Sequence, residues 1–230
     1  MKILICAEGK NDIGCKDRWD DKSKSYVNTH GWMQPMIYKV NDNNNNLIIN
    51  EIRRQDLTIL PKNGKVYQPW PHGHGAKALL AKRYAVSGSY DVVIFMVDAD
   101  SVAENRWTDI SNEIDEGFSK INGDVVCITC IPVSMSESWL LADKESWLLA
   151  TGYGGDGLPD QPENIWGARN DPAGNHPHRL FARICLDAEV EDSSDLRALL
   201  SEHADIIVVA NRCPISFAPY LNALQVALVN

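Results

Sequence analysis

DVVIFMVDAD, residues 91–100, decides the fold. Six consecutive apolar residues, Val92 to Val97, leave no polar alternation for a solvent-facing side. A strand buried on both faces in the middle of a parallel sheet reads this way. Upstream, AKALLAKRYAVSG (76–88) places apolar residues at helical spacing and stops at Gly88, which predicts a helix leading into the strand. Downstream, TDISNEIDEGFSKIN (108–122) reads as an acidic helix capped by Thr108 or Asp109, and DVVCITCIPV (124–133) as a second buried strand. Strands alternating with helices predict an α/β parallel-sheet domain of the Rossmann kind, with helices on both faces.

Working outward, KILICA (2–7) is another apolar run, and EGKND follows it at once as a turn and the start of a helix near Asp12. From about 14 to 75 the chain is charged and irregular, with Asn43–Asn46, three tryptophans (Trp19, Trp32, Trp70) and PKNGKVYQPWPHGHG. We read it as a loop-rich insert, with a strand at LIINEI or DLTIL and tryptophans available to a partner. From about 135 the chain reads as helical. SESWLLADKESWLLATG (136–152) offers an apolar face of Trp139, Leu140, Trp147 and Leu148. HPHRLFARICLD, SSDLRALLSEHAD and CPISFAPYLNALQVAL read as further helices, and DIIVVA (205–210) as a short apolar run. Trp139, Trp147 and Trp166 are expected in the core, and 152–178 as loop. A single domain of 1–230 is expected.

The chain has 230 residues, 44% hydrophobic and 23% charged, which is ordinary globular composition. No apolar run approaches the roughly 18 residues that span a bilayer, so no membrane partner and a cytoplasmic location are expected. Six scattered cysteines do not suggest a disulfide framework, and in strand register Cys127 and Cys130 fall on opposite faces. The net charge of -9 disfavours unaided tight binding to nucleic acid, which draws its affinity from Lys and Arg. It fits a divalent-cation site, where the ion inverts the local field.

Parallel sheets place ligands beyond the carboxyl ends of their strands. Two such ends here are acidic: Glu8, with Asp12 four residues on and expected on one helix turn, and Asp98-x-Asp100, whose extended spacing would aim both carboxylates one way. Oxygen donors of this kind suit Mg²⁺ or Mn²⁺. The competing structural readings are acids at a helix N-terminus for Glu8 and Asp12, solvated turn residues for Asp98 and Asp100, and a helix-start acid behind an N-cap Ser134 or Ser136 for Glu137. HGHG (72–75) supplies two histidines without a third ligand, and His176 and His178 flank a proline in a loop, where a structural role is expected.

At EGKND, from Glu8 to Asp12, and VDADS, from Val97 to Ser101, the chain resembles the TOPRIM domain of topoisomerases, bacterial primases, recombination proteins and the overcoming-lysogenisation-defect nucleases. PVSMSESWLLAD (132–143), Asp171-Pro172 and CPISF (213–217) extend the similarity to an uncharacterised family of small TOPRIM-like proteins. The resemblance implies a Mg²⁺-dependent (or Mn²⁺-dependent) nuclease cutting DNA or RNA, often part of a mobile-element or antiphage locus. By position it makes Glu8 a metal ligand or general base and Asp98 and Asp100 metal ligands, with Asp12 and Glu137 for a second ion. Lys10 and Lys77 are then the nearest cations for a phosphate. A topoisomerase would need a further domain bearing a transesterifying tyrosine. The rivals are a non-catalytic TOPRIM-like subunit docking an ATPase or a nucleic-acid complex, and a hydrolase of small phosphoesters; an oligomer is compatible with each.

Overall fold

The computed structural model describes all residues except 21–22, 42–45, 58–70, 72 and 230, and all of their side chains except those of 15–20, 26–27 and 104. Among the described residues the main sheet has four strands: β1 (Lys2–Ala7), β4 (Ile48–Arg53), β5 (Val92–Met96) and β6 (Val126–Cys130). They lie in the order β4-β1-β5-β6, all parallel. The chain therefore steps from β1 to one side, then crosses back to β5 on the other. Right-handed crossovers in opposite directions must run over opposite faces. The helices obey this: α2 (Met33–Val40), between β1 and β4, packs on one face, while α3 (Gly73–Ser87) and α4 (Glu104–Ser119) pack on the other.

Strand periodicity supplies both cores. Ile3, Ile5, Ala7, Val92, Ile94, Met96, Ile128 and Cys130 face α2 and the C-terminal helices. Leu4, Cys6, Val93 and Phe95 face α3 and α4. Cys127 packs against the second core and Cys130 against the first, so the pair does fall on opposite faces. After β6 come α5 (Ser136–Leu140), α6 (Lys144–Thr151), α7 (Pro177–Asp187), α8 (Ser194–His203), α9 (Ile206–Arg212) and α10 (Phe217–Val229). No helix of the described residues is long and apolar enough to cross a membrane.

The structure departs from the sequence reading in several places. Residues 14–75 hold the strand expected at LIINEI, as the edge strand β4, but also an antiparallel ribbon of β2 (Cys15–Asp20) and β3 (Ser25–Thr29) and the helix α2, so much of the expected insert is part of the fold. Helix α4 begins four residues before Thr108, after Ala103, and the expected caps Thr108 and Asp109 are interior. The apolar run 205–210 is helical because the Asp205 carboxylate accepts from the amides of Ile207 and Val208. SESWLLADKESWLLATG is two helices, broken where Asp143 caps α6 through Glu145 N–H, and Leu148 is exposed. Trp166 is exposed rather than core, and Trp32 is fully buried rather than presented to a partner. DLTIL beyond Leu57, Trp70 and His72, and the side chain of Trp19, lie outside the described residues.

Helices α3 and α4 come into close backbone contact at two glycines: a Cβ on Gly117 would stand 2.1 Å from the Gly75 carbonyl oxygen. Glycine to alanine inside a helix ordinarily stabilises by about 1 kcal/mol. Here backbone must move to admit the methyl, so Gly117→Ala is expected to destabilise by about 1–3 kcal/mol in urea unfolding. Gly154→Ala, at a position with nothing within 4 Å, is expected to change stability by less than about 0.5 kcal/mol.

Candidate metal centre

Strand order reverses between β1 and β5, and the crevice at their carboxyl ends is where such sheets bind ligands. β1 delivers Glu8 and Gly9 there, and the short helix α1 (Lys10–Ile13) follows. The Asp12 carboxylate accepts from Gly9 N–H (3.0 Å), from the Trp32 indole N–H (2.8 Å) and, weakly, from Ser136 Oγ (3.4 Å). Trp32 reaches it because Gly31 lets the chain pass against α1: a Cβ there would lie 2.0 Å from the Asp12 carbonyl oxygen.

β5 delivers Asp98. Beyond the strand the chain keeps its alignment with the segment after β6, through Val97 N–H to Cys130 O, Ala99 N–H to Pro132 O and Asp100 N–H to Ser134 O, all 3.0 Å. Asp98 Oδ1 accepts from Ser136 N–H at 2.9 Å. Asp100 lies in the left-handed region (φ +51°), which a non-glycine residue adopts at some strain, Asp more readily than most. The extended Asp-x-Asp pair is thus a kinked one: Asp98 is half-buried while Asp100 is turned outwards and exposed.

Every residue from Ile131 to Asp143 is buried, although the stretch includes Ser134, Ser136, Glu137, Ser138 and Asp143. Glu137 is the most consequential. Its Oε1 accepts from Arg197 Nη1 and from His178 Nδ1, each at 2.7 Å, while Oε2, equally buried, has no hydrogen-bond partner. Neither serine caps α5: Met135 is the N-cap residue, Ser136 opens the helix, and the buried Ser134 hydroxyl is unpartnered.

The acids influence one another. Burial pushes the Asp98 carboxyl well up from its ordinary range, and the charges of Asp12, Glu137 and Asp100 push it further, against the one amide bond from Ser136. Asp12 is also raised by burial, and by Glu137, with Trp32, Gly9 and Arg197 opposing. Burial acts on Glu137 in the same direction, but His178 and Arg197 together overcome it and hold the group down at about 2. Asp100 is raised by burial and by Glu8, while Arg169, His178 and His176 draw it back.

The structure therefore brings Asp12, Asp98 and Glu137 into one electrostatic cluster, with Asp100 exposed at its edge and acting on Asp98, and Glu8 acting on Asp100. Glu8 does not share a helix turn with Asp12: it precedes α1, is largely exposed, and pairs with Arg54 Nη2 at 2.8 Å. Lys10 is exposed and lines a separate cleft with Asn28, His30 and Arg53. Lys77 donates to the Leu57 carbonyl at 3.1 Å. Among the described residues neither lysine bonds to a carboxylate of the cluster, so the cations expected from motif position stand elsewhere. Sequence reasoning missed Arg197, Trp32 as the Asp12 donor, and the approach of Arg169, His176 and His178; the HPH tripeptide was the one available signal. Comparison with protein-family models, curated proteins and solved structures found no match in any of the three.

Among the described residues no three His, Cys, Asp or Glu side chains converge closely enough to enclose an ion as they stand. The donor set nevertheless fits a hard divalent cation: oxygen only, anionic in excess, and including one buried oxygen with no other partner.

A group whose folded pKa is raised above its unfolded value of about 3.9 lowers stability fully above the folded pKa, and not at all below the unfolded one. Asp98→Asn, which keeps an acceptor for Ser136 N–H, is therefore expected to raise the melting temperature in EDTA at pH 8. That gain should shrink as pH falls through the raised pKa of Asp98. Glu137 behaves oppositely: its depressed pKa supports the fold above the usual carboxylate range, and this support is lost as pH falls towards 2. Melting curves of both proteins from pH 8 to pH 3 check the sign; a gain that grows on acidification would contradict it.

Proposed function

We propose that the chain is a Mg²⁺-dependent phosphodiesterase (Mn²⁺ serving equally) acting on nucleic acid. The observation that carries this is the buried, unpartnered Oε2 of Glu137 beside two carboxylates whose ionisation burial disfavours. Such an arrangement is unfavourable as it stands and becomes favourable with a cation between the acids. Asp98, Glu137 and Asp12 would hold the cation, with Asp100 and Glu8 at the mouth. A divalent ion bound there would polarise a phosphoryl oxygen and offset developing negative charge.

The residues of the chain set up the rest. Arg197 and His178 fix the Glu137 carboxylate through Oε1 and leave Oε2 for the ion. Trp32 and Gly9 orient Asp12, and Ser136 N–H orients Asp98. Glu8, held by Arg54 through Oε1, keeps a second oxygen that can accept a proton from an attacking water. The likeness of EGKND and VDADS to TOPRIM turns supports this reading, and with it a place in a mobile-element or antiphage locus. The rival docking-module reading, with an ATPase as partner, loses one support, because Trp32 lies in the core.

Supercoiled plasmid, single-stranded DNA and total RNA, incubated with Mg²⁺ or Mn²⁺, provide the test. The wild-type chain should cut at least one of them, EDTA should stop it, and Asp98→Ala/Asp100→Ala should fall to background while remaining folded. A folded wild type that neither cuts nor binds Mg²⁺ would sink the proposal and leave the docking module ahead.

A further inference from the structure

The segment between residues 165 and 178 carries features that the carboxylates do not use. Trp166 leaves 36% of its surface exposed. Its ring rests on His176, centroids 5.1 Å apart, and His176 rests in turn on His178 at 5.5 Å. His178 ends the series by holding Glu137. A ladder of three rings thus runs from the solvent to the metal centre. His176 is buried, yet its Nδ1 has no partner. Arg169 is exposed, has no hydrogen bond or ion pair from its guanidinium among the described residues, and lies near enough to Asp100 to influence it.

The segment is braced on both sides. The buried Glu163 carboxylate, just before it, accepts from the amides of Ile215 and Ser216 at 2.8 Å. From α7, Arg179 donates to the Arg169 carbonyl and Arg183 to those of Pro172 and Gly174. Asp171 is turned back on its own loop, accepting from Ala173 N–H, so it does not oppose Arg169 directly. In a chain of net charge -9 this wall brings Arg169 and the two histidines near Asp100, while Arg179 and Arg183 hold the loop that carries Arg169.

We infer that residues 165–178 form the substrate wall of the site and select single-stranded nucleic acid, with Trp166 stacking on an unpaired base and Arg169 holding a backbone phosphate. This rests on the phosphodiesterase reading and adds the substrate class to it. A base face is open to a tryptophan only when the strand is unpaired, since in a duplex neighbouring bases occupy both faces. Trp166, partly exposed and held by its tilted contact with His176, suits that contact. Arg169 supplies the charge that Lys10 and Lys77 do not bring to the centre.

The test is fluorescence anisotropy with Ca²⁺ in place of Mg²⁺. The probes are a labelled single-stranded DNA 12-mer, an RNA 12-mer of the same sequence, the DNA strand with abasic sites, and a blunt duplex. Wild type should bind at least one base-bearing single strand more tightly than both the abasic strand and the duplex; the two base-bearing probes separate DNA from RNA. Trp166→Ala should bind that strand at least about fivefold more weakly, with no further loss on the abasic strand, and Trp166→Phe should recover most of the difference. Arg169→Ala should weaken all strands alike and lower the slope of log K against log salt by about 0.7, the value for one single-strand phosphate contact. Unchanged binding by a folded Trp166→Ala, preference for the duplex, or no binding by wild type overturns the inference. If wild type still cuts with Mg²⁺ in those cases, the metal-centre reading stands without the wall; if it neither cuts nor binds Mg²⁺, that reading has failed on its own test.

Discussion

The ion pair between Arg197 and Glu137 is buried on both sides and joins α8 to α5 beneath the carboxyl ends of β1 and β5. Removing one partner from such a pair strands the other charge, at a cost of about 3–5 kcal/mol. Arg197 is immobilised further by Asp192, through Nε at 2.9 Å and Nη2 at 3.1 Å, and by the Phe181 ring beneath its guanidinium. Glu137 is therefore ionised and fixed in place while its second oxygen stays bare. Everything notable about the centre follows. Burial makes ionisation of Asp12 and Asp98 unfavourable and the fixed anion beside them adds to it, a cost that a divalent cation would relieve.

The fold places this pair where ligands belong. Reversal of strand order opens a crevice between β1 and β5, and the run from Ile131 to Asp143 closes it from the β6 side. Burial of so many polar groups in one stretch is expensive unless each is satisfied. Most are: Asp143 accepts from Glu145 N–H and Asp205 N–H, and Ser138 donates to Met135 O. The exceptions, Ser134 Oγ and Glu137 Oε2, lie in that same stretch. Among the described residues His176 Nδ1 and the Tyr220 hydroxyl are also buried without partners, but Glu137 Oε2 is the charged one of the four and stands beside two further acids, which points to a ligand there.

Much of this was legible in the sequence, for a physical reason. Val92–Val97 and KILICA are apolar without interruption because both faces of the sheet are covered, so the strands, and the acids that follow them, declare themselves locally. What was not legible depends on contacts between distant parts of the chain. Trp32 lies 20 residues from Asp12 and Arg197 lies 60 from Glu137, and no local period connects them. The turn at Asp100 was hidden for another reason: Asp-x-Asp after a strand reads as extended, and only the left-handed backbone of Asp100 shows the kink. Trp32 misled because it falls in a stretch that reads as a charged, irregular insert, although its own indole is spent on a buried carboxylate.

The most direct test of the centre is anomalous diffraction from crystals soaked in Mn²⁺. A peak bounded by Glu137 Oε2 and the Asp98 carboxylate is expected, and it should vanish in Glu137→Gln crystals of the same form. A wild-type map at saturating Mn²⁺ with no peak in that crevice, or with peaks only at exposed surface acids, would contradict the assignment of this cluster as a cation site.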